Sequence, residues 1–186
     1  MKDILVICGG APCVMEDAAE IVRLSGSPDY MLIGSNSPAE RQIAVINHHV
    51  SHENDFPATR GIRESLGLNT DYESWSNRPH AGVDHCLEEL TGPTCAYECN
   101  PRFGSFDPRN HHHYSGSSAM LGLKVGLRLG YRKIVLAGVT INEGHYANFQ
   151  VGWRWVADLL KCCPVRSISG FTAELLGSPT KEWVND

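Results

Sequence analysis

The strongest constraint on the fold is an alternation. Short apolar runs, each ending in glycine or small polar residues, are separated by segments with helical spacing. Asp3–Cys8 (DILVIC) leads into Gly9-Gly10, and Tyr30–Ile33 (YMLI) into Gly34-Ser35-Asn36. Gln42–Asn47 (QIAVIN) leads into His48-His49, Lys133–Val139 (KIVLAGV) into Thr140, and Val165–Ser169 closes the series. Continuous apolar runs of this length predict strands buried on both faces, as in a parallel sheet. Between them, Met15–Leu24, Asn54–Leu66, Ser115–Leu129 and Asn148–Leu160 predict helices. Asn54 or Asp55 caps the second, with Pro57 in its first turn and Gly67 as its stop. Gly122 and Gly126 share one face of the third and let it lie close to a sheet, while Lys124 and Arg128 share a polar face. Strand, helix, strand in succession requires parallel pairing through right-handed crossovers. The expected fold is therefore α/β: a Rossmann-like three-layer sandwich with a mostly parallel sheet. Residues 1–186 read as one domain with a loop-rich insertion at about 68–114, which has room for short strands such as Gly82–Leu87.

Composition narrows the function classes. A chain of 186 residues buries a sizeable core without staples. Its net charge of −5 argues against general nucleic-acid binding, which needs a basic excess, but leaves room for one phosphate pocket. No apolar run reaches the length of a membrane span, and the N-terminal run is too short for a signal peptide. Seven cysteines, an odd number with Cys162 and Cys163 adjacent, point to a reducing, cytoplasmic setting. Cys95 and Cys99 have spacing for half a zinc site but no evident second pair, so no metal is expected. If a metal binds, its ligands come from His48, His49 and His52 with His111, His112 and His113. Trp153 and Trp155 suit a core anchor, and an interface between copies stays open.

In open α/β sheets ligands bind at the carboxyl ends of the strands, so the residues just after each run are the candidates. Gly9 and Gly10 allow close backbone approach, although neither a Walker A loop nor G-x-G-x-x-G follows. Asn36 offers hydrogen bonds to a base or ribose. Arg60 and Arg63 are available to an anion. Ser115, Gly116 and Ser117 open a helix whose free N–H groups and positive dipole end suit a phosphate. After the most strand-like run come Asn142, Glu143, His145 and Tyr146, side chains able to contact substrate or to exchange protons. His48 is a second candidate base. Each of these has a plain alternative: a turn, a cap or a solvated face.

The stretch from Ser115-Gly116-Ser117 through Gly130-Tyr131-Arg132-Lys133-Ile134-Val135-Leu136-Ala137-Gly138-Val139 resembles a segment shared by two related groups. These are the metal-independent bacterial sialyltransferases and the MptE-like 6-hydroxymethylpterin diphosphokinases. Their first-strand loop reads Gly-Asn-Gly-Pro-Ser; here it is Gly9-Gly10-Ala11-Pro12-Cys13. Their second strand ends in a nucleotide-contacting Asn, and Asn36 stands near that place. Two positions depart from the pattern: the loop Asn is Gly10 or Ala11, and the Asp after the later strand is Thr140. The resemblance implies a nucleotide-dependent transferase, foremost a nucleotide-sugar glycosyltransferase. A nucleotide-activated donor would be the substrate, a small molecule or glycan the acceptor, and no cofactor would be required. It implies donor phosphates on the Ser115–Ser118 helix start and base or ribose near Gly9, Gly10 and Asn36. His145 or His48 would act as base, and Tyr146 would meet the leaving phosphate. A pterin or nucleoside diphosphokinase and a non-catalytic nucleotide or metal binder are the alternatives.

Overall fold

The computed structural model describes residues 3–77, 79–86, 117–142 and 144–186. Among them, seven parallel strands form one sheet. They are β1 (Ile4–Cys8), β2 (Asp29–Ile33), β3 (His48–Val50), β4 (Glu73–Ser76), β5 (His85–Cys86), β6 (Lys133–Ala137) and β7 (Val165–Ser167). Their order is β5-β4-β3-β2-β1-β6-β7. The chain works outward from β1 to β5, then returns to lay β6 on the other side of β1, so the order reverses between β1 and β6. The register runs Leu5 to Ile134 and Val6 to Val135 on that side, and Val6 to Tyr30 on the other.

Alternation along each strand divides the core into two layers. Leu5, Ile7, Met31, Ile134 and Leu136 face α4 (Ser118–Arg128) and α5 (Gln150–Lys161), with Trp153 buried among them. Val6, Cys8, Leu32, Val135 and Ala137 face α1 (Val14–Ser25) and α2 (Pro38–Gln42). The remaining helices are α3 (Phe56–Ser65), α6 (Gly170–Leu176) and α7 (Lys181–Asn185). The three-layer α/β expectation holds, and Trp153 is the core anchor.

Helix α4 lies close to the sheet because Gly122 and Gly126 carry no side chain. A Cβ at Gly126 would stand 2.7 Å from Leu5 Cδ2, and one at Gly122 would stand 3.1 Å from Met31 Sδ. Gly126 sits over the starts of β1 and β6, and Gly122 over residues further along, so the helix start projects toward the carboxyl edge. Lys124 corrects the expected polar face: it is buried, and burial pushes its amine down to about 8.

The third strand is a second correction. Gln42 ends α2 and residues 43–47 are irregular; the strand is His48–Val50. The QIAVIN backbone has other partners. Arg63, fully buried on α3, donates to the carbonyls of Glu40, Ile43, Ala44 and Asn69. The Asn69 side chain accepts from Ile46 N–H and donates back to Ile46 O. Two side chains thus do for this segment what a neighbouring strand would. Arg63 is therefore part of the scaffold, where the sequence suggested an anion ligand.

The turns after β1 and β6 touch. A Cβ on Gly9 would meet Gly138 O at 2.3 Å, whereas one on Gly10 meets nothing within 4 Å. Gly9→Ala is expected to destabilise the fold by about 1–3 kcal/mol, because a backbone carbonyl must move. Gly10→Ala should stay within about 0.5 kcal/mol of wild type. Urea unfolding of the two variants measures the contrast.

Candidate functional site

The carboxyl edge of β1 and β2 gathers several of the expected residues. Ser37 caps α2 through Ala39 N–H and donates its own hydroxyl to Gly9 O at 2.6 Å. That bond holds the loop after β2 against the turn after β1, and so brings Asn36 beside Gly9 and Gly10. Gly34 and Asn36 both take positive φ, 68° and 63°. Asn is among the few side chains that accept this conformation readily. Asn36 N–H donates to the buried Glu40 carboxylate, while its own side chain is exposed next to Ser35 Oγ.

The start of α4 projects to this edge. Ser117 is its N-cap, with extended backbone and no side-chain capping bond. The first N–H groups of a helix have no intrahelical acceptor, so this end presents donors and a positive dipole. Ser115 and Gly116 lie outside the described residues, as do His111, His112 and His113.

The loop after β6 is fixed from several sides. Gly138 and Ile141 take positive φ, 63° and 53°, and for a β-branched residue such as Ile141 that is an outlier held by its surroundings. Ile141 O accepts from Gln150 Nε2. Phe171 N–H is shared between Thr140 O and Asn142 Oδ1. The Asn142 amide oxygen is thereby engaged at the start of α6. A 3-10 turn, Gly144–Phe149, follows and carries His145 and Tyr146; Tyr146 is exposed, its ring 6.3 Å from that of Phe149.

His48 stands elsewhere. It opens β3 at the amino edge, where its Nε2 lies 3.0 Å from Tyr131 Oη, and Tyr131 donates to Asp29. Its Nδ1 is 3.3 Å from Glu73 Oε2. The third strand starts at His48 rather than at Gln42, which explains the displacement: a histidine expected after the strand is its first residue. A hollow of about 880 Å³ opens at this same edge, lined by Asn47, His48, Arg60, Glu73 and Asp84 among others. It is at the opposite end of the sheet from Gly9, Asn36 and the start of α4.

Beyond β3 and β4, His52 is the one group that the sequence offers, as a metal ligand; its partners Asn77 and His80 and the Ser51–Asp55 pair have no signal in composition or spacing. His52 Nδ1 pairs with Asn77 Oδ1 at 2.9 Å, and His80 Nε2 with the carbonyl of His52 at 3.1 Å. Ser51 donates to Asp55. Among the described residues no three His, Cys, Asp or Glu side chains converge as a metal centre requires.

His49 is fully buried and its Nε2 faces Gly34 O at 3.0 Å, so the neutral ring carries its proton on Nε2. Burial pushes the imidazole down to about 4, against the opposing pull of the Gly34 carbonyl. The unfolded chain, with an ordinary histidine near 6.5, then binds the extra proton first, so stability falls as pH drops from about 6.5 toward 4. The expected loss attributable to His49 is up to about 3 kcal/mol. His49→Gln should flatten that part of the stability–pH curve, measured by urea unfolding at each pH.

No protein-family model matches the chain, and no curated protein matches it by sequence. In structure it is similar to the sialyltransferase CstII from Campylobacter jejuni, solved in complex with the substrate analogue CMP-3FNeuAc. The TM-score is 0.57 at 14% identity, and the match covers 97% of this chain and 89% of that one. At that identity the likeness is one of fold. The described residues contain no helix long and apolar enough to cross a membrane.

Proposed function

We propose that this protein is a nucleotide-dependent transferase whose donor is a nucleotide-activated sugar. The observation that carries the reading is the meeting of three features at one edge. An uncapped helix start, the Gly9-Gly10 turn and the Asn36 loop lie together beside the strand-order reversal. The fold shared with a sialyltransferase over nearly the whole chain supports the same reading. In it, the donor phosphates take the N–H groups at Ser117, with Ser115 and Gly116 leading in. The base or ribose lies along Gly9, Gly10 and Asn36. His145 is the base toward the acceptor, a small molecule or glycan, and Tyr146 meets the leaving phosphate. His48 drops out of this scheme because it opens β3 at the far edge. Asn142 keeps only its amide N–H groups for substrate. The cytoplasmic setting inferred from the cysteines belongs to the same proposal.

Calorimetry with CMP, UMP, GMP and AMP, followed by release of nucleotide from the matching activated sugars, tests the reading. Binding of one nucleotide in the micromolar range, with turnover of its sugar conjugate, is the expected result. Absence of binding across the panel would overturn it. Binding without turnover would turn the assignment to a non-catalytic nucleotide binder.

A further inference from the structure

The buried carboxylate of Asp17 is not used by the scheme above. It lies in the first turn of α1, where an acid favours the helix dipole whatever else it does. Its Oδ2 accepts the N–H of Gly138 at 2.8 Å and the hydroxyl of Ser169 at 2.5 Å, with Cys13 Sγ at 3.7 Å. One oxygen thus joins the turns that follow β1, β6 and β7. The surrounding contacts lead the same way. Gly9 and Ala11 donate to the carbonyls of Ala137 and Gly138, and a Cβ at Gly138 would stand 2.5 Å from Val14 Cβ. The β1/β6 crevice is closed by its own backbone, which leaves the β1/β2 side and the start of α4 for a donor.

We propose that Asp17 is a positioning residue for transfer. It fixes Gly138 and, through it, the rigid run of Thr140, Ile141 and Asn142 that leads to His145 and Tyr146. The assignment rests on the donor reading given above. Hydrogen bonds to an ionised acceptor are about twice as strong as neutral ones, so the charge matters as well as the shape. An amide in its place keeps an oxygen for Gly138 but weakens both bonds, and the loop after β6 gains freedom. On the donor side Gly9 lies against the Gly138 backbone, but the carboxylate's own bonds go to Gly138, Ser169 and Cys13 rather than to Gly9, Gly10, Asn36 or Ser117.

The test compares wild type, Asp17→Asn and Ser169→Ala, with CMP as the binding probe and CMP-activated sialic acid as the substrate. In Asp17→Asn, kcat is expected to fall on the order of 10- to 100-fold, the cost of a small misplacement of reacting groups. The CMP dissociation constant should stay within about 2-fold of wild type. Amide exchange should quicken over residues 138–149 and not over α4. Ser169→Ala, which removes one bond and keeps the charge, should show the same pattern more weakly. A purely structural role would instead lower melting temperature and CMP affinity together. An Asp17→Asn variant with full kcat, or with kcat and CMP affinity falling in parallel, overturns the assignment of Asp17 alone. A wild-type protein that neither binds CMP nor turns over its sugar conjugate removes CMP as the donor nucleotide and overturns this assignment, which is made for a CMP donor, while the nucleotide panel given above decides the wider donor reading separately.

Discussion

Arg63→Leu is expected to lower the unfolding free energy by about 3–5 kcal/mol, the largest stability change among these predictions. The guanidinium is fully buried and spends every contact on oxygen. Nε donates to Asn69 O, Nη1 to Glu40 O, and Nη2 to Ile43 O, Ala44 O and Asn69 Oδ1. Leucine fills much of the volume but leaves these acceptors facing an apolar side chain, and each buried one costs about 1–3 kcal/mol less whatever relaxation provides. Arg63→Lys should recover a minor share, because one ammonium cannot span carbonyls that a planar fork reaches together. Guanidinium unfolding measures both. A loss below about 1 kcal/mol in Arg63→Leu would show that the 40–47 segment holds its shape without the guanidinium.

The largest effect on binding is expected from Ser117→Asp. A carboxylate at the N-cap of α4 occupies the place proposed for a donor phosphate and repels it. Losing the helix-end interaction and adding that repulsion should weaken nucleotide binding by about 2 kcal/mol or more, roughly 30-fold. The fold should survive, since Asp is a favoured N-cap and its charge complements the dipole. Circular dichroism and urea unfolding check that survival, and calorimetry with the nucleotide chosen by the panel reads the affinity. Wild-type affinity in a folded Ser117→Asp protein would remove the helix start from the site.

What the sequence made legible was whatever depends on neighbours in the chain. β1 and β6 are continuous apolar runs, and a strand buried on both faces has no other way to be written. The pair Gly122 and Gly126 announced a close helix–sheet contact because their spacing is that of one helix face. The third strand was misplaced for a tertiary reason. QIAVIN has the letters of a strand, yet its backbone is satisfied by Arg63 and Asn69, residues more than a helix away. His48-His49-Val50 has polar letters, yet those rings are buried with partners: His48 beside Tyr131, His49 on Gly34 O. The misplacement carried His48 into the candidate site, from which the structure removes it. Lys124 has the helical place of a solvent-facing side chain, yet it is buried. Asp17 is not legible as a tertiary anchor, because a first-turn acid already has a sufficient local explanation. Its bonds to Gly138 and Ser169 join residues far apart in sequence, and nothing local encodes them.

The strand order also sets a timetable for synthesis. β1 is made before either of its neighbours, and the second of them, β6, follows only after β2 to β5 and the stretch beyond them. Until then the Ile4–Cys8 ladder has one open side, and its side chains are apolar throughout. An open apolar edge is a template for pairing with other chains. A nascent or truncated chain ending before Lys133 would carry that edge exposed, so exposure to aggregation through this edge is concentrated in the interval before β6 emerges.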